Sequence, residues 1–175
     1  MSNEIENLVK AITDATRNAF TDLFKNNERF YYCVLMTTGE ALPPFISAWS
    51  WEALERKVEN RTDEFEYLKW SYADSPYYDY GAEYFKEVIE LFAKRPNLHN
   101  LDDEHYYKEF DLRLNAMELA MRKLDEEGIF ELNQNRKEVY INVELMPPCV
   151  SNTERALRLN KKENITNWLI EAAEE

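Results

Sequence analysis

An α+β fold with an antiparallel sheet is what this sequence predicts, on three observations. Phe30 to Thr38 is apolar or aromatic on both alternating faces, the pattern of a central strand covered on two sides. Apolar residues recur at helical spacing before it and again between Asp102 and Gly128. Strand-like runs come in neighbouring pairs, at about 30–49 and 129–146, with helices before, between and after them.

Taken in order, Ile5, Leu8, Val9, Ile12, Ala15, Ala19, Phe20, Leu23 and Phe24 form the stripe of a long amphipathic helix. It starts near Ser2 or Asn3 and ends at Asn26-Asn27. After the first strand, Thr38-Gly39-Glu40 reads as a turn, and Pro43-Pro44 keeps the chain extended into Phe45–Trp49. Ser50, with Glu52 and Glu55 after it, predicts the N-cap of a short helix from Trp51 to about Asn60. Phe65, Tyr67, Leu68 and Trp70 suggest a short strand, followed by a turn at Asp74-Ser75-Pro76.

Tyr84, Phe85, Val88, Ile89, Leu91 and Phe92 mark a helix that stops before Pro96. Tyr107, Phe110, Leu114, Met117, Met121 and Leu124 alternate steps of three and four between an acidic start at Asp102-Asp103-Glu104 and Gly128. That reads as a packed core helix. Val139, Ile141, Val143 and Leu145 alternate with Tyr140, Asn142 and Glu144, a half-exposed strand ended by Pro147-Pro148, with Ile129–Leu132 as its hairpin partner. A short helix over Glu154–Leu159 and a last one carrying Ile165, Trp168, Leu169 and Ala172 complete the chain.

The 175 residues are expected to form a single domain, 1–175, long enough to bury about 70% of the unfolded surface. An apolar fraction of 45% with only three glycines excludes a disordered or linker-dominated chain. The acidic start and the lack of a long apolar run lead us to expect a cytoplasmic protein. Cys33 and Cys149 make neither a disulfide framework nor a CxxC pattern, and both are expected to be reduced.

Thirty-four acids against 21 Lys plus Arg give a net charge of −13, densest over 59–90, where nine acids face three bases. Such a surface repels phosphate backbones and anionic lipid and attracts a basic protein, so neither nucleic acid nor membrane is expected as a partner.

The blocks YYCVLMTTGEALPPFISAWSWEAL, LKWSYADSPYYDYGAEYFKEV and LDEEGIFELNQNRKEVYINVEL, in this order and spacing, resemble the bacterial domain-of-unknown-function 4303 family. The likeness runs from Ile5 to Trp168. It carries no catalytic residues over. Some members resemble immunity components beside secreted polymorphic toxins, and the resemblance implies a non-enzymatic protein that neutralises a cognate toxin by direct binding.

For partner binding, the rings of Trp70, Tyr72, Tyr77, Tyr78 and Tyr80 among Asp74, Asp79 and Glu83 are the candidate face, since tyrosine and tryptophan supply much of the energy of interfaces. The competing reading places these rings in the core beneath an irregular loop. A second class of function is an enzyme using His99, Asp103 and His105, although capping and the helix dipole already account for acids at a helix start. No phosphate loop, dinucleotide turn, GxSxG or HExxH occurs. No cofactor, metal site or catalytic residue is expected.

Overall fold

A computed structural model describes residues 3–59 and 65–174. Helix α1 (Asn3–Leu23) is followed by strands β1 (Phe30–Thr38) and β2 (Phe45–Ser50) and helix α2 (Trp51–Val58). Then come α3 (Phe65–Leu68), α4 (Lys86–Ala93) and α5 (Asp103–Glu126), strand β3 (Tyr140–Met146), α6 (Val150–Leu159) and α7 (Thr166–Glu171). The fold is α+β, as expected.

The sheet has three strands in the order β2-β1-β3, with β1 in the middle. β1 and β2 form the predicted antiparallel hairpin, pairing Cys33 with Ala48 and Leu35 with Ile46. β3 instead runs parallel to β1, pairing Tyr32 with Tyr140 and Met36 with Glu144, so the sheet is mixed rather than antiparallel. The reason lies in the connection. A parallel neighbour needs a long crossover, and α5, about 36 Å long at 1.5 Å per residue, carries the chain back to the end where β1 begins. The expected strand at Ile129–Leu132 is replaced by a 3-10 turn over Ile129–Glu131. Phe130 there is buried against Phe20 of α1, with ring centroids 5.3 Å apart. The strand expected near Phe65–Trp70 is likewise a helical turn.

Each face of the sheet carries its own core. Cys33, Leu35, Ile46, Ala48, Ile141 and Val143 face α1, α4 and α5. Tyr32, Val34, Met36, Trp49 and Tyr140 face the other way, among Leu54 of α2, Leu68 of α3, Ala156 of α6 and Trp168 of α7. β3 is therefore buried along both faces, not half exposed. The C-terminal helices fold back over the side that carries Tyr140, Asn142 and Glu144.

Both sheet edges are sealed by groups that stand in for a missing strand. Along β2, Ser75 Oγ donates to the Ala48 carbonyl and the Asp79 amide to Ile46. Trp49 Nε1 and Ser47 Oγ donate outward to the carbonyls of Ser71 and Tyr72. Along β3, Asn152 Oδ1 accepts the Leu145 amide at 2.8 Å while its Nδ2 donates to the Leu145 carbonyl at 3.0 Å. Asn160 does the same to Ile141, and Arg155 Nε donates to Val143. These side chains of α6 and its C-cap satisfy backbone groups that burial would otherwise leave unpaired.

Candidate functional site

On the side of the sheet covered by α7, β3 presents a carboxyl that the surrounding chain encloses. Glu144 is 9% exposed. Tyr32 donates to its Oε2 at 2.7 Å and Tyr140 to its Oε1 at 2.8 Å. The strand register produces this arrangement, because Tyr32 sits across from Tyr140 and Tyr140 precedes Glu144 by four residues on one face. Asn142, between them, donates to the Tyr140 hydroxyl at 2.7 Å, and its Oδ1 has no partner.

Burial pushes the Glu144 carboxyl above the usual glutamate range, against the opposing pull of the two tyrosine hydroxyls and the Arg155 charge. Burial and the neighbouring Glu144 charge also raise both tyrosines far above the ordinary phenol. Arg155 directs its guanidinium to Val143 and Asn152. Among the described residues Glu144 has no ion-pair partner.

Aromatic rings stand over this floor. Tyr140 stacks on Tyr32 at 5.6 Å and on Trp168 at 4.5 Å, and Trp70 meets both Tyr32 and Tyr140 at 6.1 Å. Between Trp70, Tyr72 and Trp168 opens a cleft of about 390 Å³ with Glu144 at its base and Glu66, Glu171 and Glu174 at its rim. Four carboxylates and no Lys, Arg or His are found among the described residues that line it. Glu171 also accepts from Lys69 Nζ and Trp70 Nε1, both at 2.7 Å, which ties α7 to the segment after α3. Beyond that bridge lies a second cleft of about 300 Å³ lined by Trp51, Trp70, Trp168, Lys69 and Lys137.

The structure divides the eight candidate partner-binding residues among several places. Trp70 and Tyr72 line the acidic cleft. Tyr77 turns its hydroxyl to Glu28 and its ring to Phe30, and Tyr80 donates to Asp22 of α1. Tyr80 is packed against the core on the opposite side, and Tyr77 sits at the edge of both cores. Asp74 accepts from Ser71. Tyr78, at 48% exposed, lies outside with Asp79 and Glu83. The stretch is therefore chiefly the strap over the edge of β2, and two of its five candidate rings, Tyr77 and Tyr80, serve packing.

Glu144, Tyr32, Tyr140 and Trp168 were not among the residues singled out from sequence. The available signal was the apolar face of the last helix, Ile165 and Trp168, which needs a surface to cover. As for the second function class, His105 Nδ1 lies 2.7 Å from Asp102, and His99 Nε2 lies 3.0 Å from Glu40. Asp103 is exposed in the first turn of α5. Among the described residues no group of three or more His, Cys, Asp or Glu is placed to hold a metal ion. Cys33 and Cys149 are both free.

An α+β protein with a mixed three-stranded sheet and an acid-lined aromatic cleft is the class that these observations define. The chain belongs to the family described as Domain of unknown function (DUF4303), whose model matches residues 12–161. No curated protein and no solved structure matches the chain. The matched span contains the Glu144 floor and stops before α7, which closes the cleft from above. No helix among the described residues is long and apolar enough to cross a membrane.

Proposed function

We propose that this chain is a non-enzymatic binding module that works in the cytoplasm as an immunity protein, masking a basic cleft on a cognate bacterial toxin of the nuclease kind. The observation that carries this reading is the cleft over Glu144, whose described lining offers four carboxylates, no cation and four large rings, those of Tyr67, Trp70, Tyr72 and Trp168. A toxin that binds nucleic acid presents Lys and Arg where phosphates lie, and carboxylates set among rigid rings complement such a surface. The net charge of −13 adds long-range attraction, which speeds encounter and makes it sensitive to salt. Exposed Tyr78, Asp79 and Glu83 supply a second contact on the adjoining strap.

The test is co-expression with the product of the adjacent gene. A stable complex is expected, with its on-rate falling steeply between low and high salt and falling again for Asp79→Lys with Glu83→Lys. A neighbour that forms no complex at any ionic strength overturns the proposal.

A further inference from the structure

The cleft over Glu144 has features that bulk negative charge does not require. Its floor carboxyl is held in one orientation by two buried tyrosines, each engaging a different oxygen. It is buried without an ion pair among the described residues, while the Arg155 guanidinium, whose charge it feels, is committed to Val143 and Asn152. Its walls are the rings of Trp70, Tyr72 and Trp168. Ring faces attract a cation that sheds its water readily. Hard metal ions instead demand a shell of oxygens, and no such cluster occurs among the described residues. A volume of about 390 Å³ lies at the small end of ligand sites.

Resting on the binding-module reading above, we infer that this cleft is a receptor for one organic cation, the ammonium or guanidinium end of a single Lys or Arg side chain of the partner. That group stands between Trp70, Tyr72 and Trp168 and meets Glu144 from the cleft that Glu144 lines. The arriving charge supplies the ion pair that Glu144 lacks, so binding releases a proton from whatever fraction of Glu144 is protonated. Affinity therefore rises with pH until that carboxyl is fully ionised. The titratable and charged groups around Glu144 are Tyr32 of β1, Tyr140 of β3, Arg155 of α6, Tyr72 and, across the cleft, Glu66, Glu174 and the Glu171–Lys69 pair.

The full chain is titrated with N-acetyl-lysinamide and N-acetyl-argininamide and followed by tryptophan fluorescence, since Trp70 and Trp168 form the walls. N-acetyl-norleucinamide is the uncharged control and tetramethylammonium the small-molecule control. At least one of the two basic amides is expected to saturate the signal at least tenfold more tightly than either control. Glu144→Gln is expected to abolish that preference while keeping the far-ultraviolet dichroism of the parent. Tyr72→Leu, on the half-buried wall, is expected to weaken it severalfold without touching the floor, and serves if Glu144→Gln does not fold.

Equal binding of charged and uncharged amides, or no saturable change with any probe, overturns the inference. Tighter binding of tetramethylammonium reassigns the cleft to a free quaternary amine and also overturns it. These titrations contain no partner protein. A negative result here with an intact toxin complex removes the side-chain receptor alone, and the reverse result removes the immunity reading alone.

Discussion

Glu144 shows how a polar residue in an alternating strand can mean the opposite of exposure. In the sequence, Tyr140, Asn142 and Glu144 interleave with Val139, Ile141 and Val143, the usual sign of a wet face. In the structure the polar set bonds largely within itself, tyrosine to glutamate and asparagine to tyrosine, with Asn142 Oδ1 left over, under a cover of α6 and α7. Because burial raises the folded-state value, the stability that this group contributes is full below about pH 4, near the unfolded glutamate value, and is lost as pH rises through the folded value. Glu144→Gln keeps the shape without the charge. The variant is expected to match the parent near pH 4 and to melt higher at neutral and alkaline pH, which thermal melts across that range would show; a constant gap would contradict it.

Glu109 behaves in the opposite sense. Burial works against its charge, but the guanidiniums of Arg95 and Arg113 outweigh that and hold its carboxyl below the usual range. Its contribution is present at neutral pH and is lost on acidification through that lowered value. Removing one partner of such a buried set costs about 3–5 kcal/mol. Glu109→Gln is expected to lose stability of that order at pH 7 and much less near pH 3, read by urea unfolding at the two pH values.

Among the elements, the long helices were the legible part, because their caps and stripes lie close in sequence, whereas α3 was expected to be a strand and α6 begins at Val150, four residues before the expected Glu154. Ser50 accepts the Ala53 amide at 3.0 Å, as the N-cap reading required, and α5 ends at Gly128 in a left-handed conformation, φ 76°. Gly81 was not recognised as a similar position. It has φ 69°, and a Cβ there would lie 2.9 Å from Tyr84 Cδ2 and 3.1 Å from Ala19 Cβ, whereas one at Gly128 would meet nothing within 4 Å. Gly128→Ala is expected to cost about 1–2 kcal/mol, the left-handed penalty alone, and Gly81→Ala measurably more, by denaturant midpoint at constant slope.

The sheet edges were illegible. Asn152 lies seven residues from its partner Leu145, and nothing in a helical run marks an asparagine that completes a strand. Asn152→Ala leaves the amide and carbonyl of Leu145 unpaired, at about 1–3 kcal/mol for each buried group. The same unfolding experiment tests it.

At the scale of the molecule, the family match ends at residue 161 while the second core includes Ile165 and Trp168, 2% and 4% exposed. Ending the chain after Lys161 uncovers Tyr140 and opens the Glu144 floor to water. A loss of about 2–5 kcal/mol is expected, comparable with deleting a large buried side chain, together with binding of an apolar dye that the full chain does not bind. An unchanged melting temperature would show that α7 is not needed as cover.

What the sequence determined by itself was whatever depends on near neighbours: the long helices α1 and α5 and the N-cap of α2, that Phe30–Thr38 is covered on both sides, the hairpin to β2, and a strongly acidic composition. Tertiary structure alone decided that β3 lies parallel to β1, that Ile129–Leu132 turns instead of pairing, that Tyr77 and Tyr80 pack inward while Trp70 and Tyr72 line a cleft, and that Glu144 stands at the base of that cleft. Periodicity records which faces avoid water but not which distant segment covers them. Orientation and enclosure follow from the path of a crossover helix and the return of the last one.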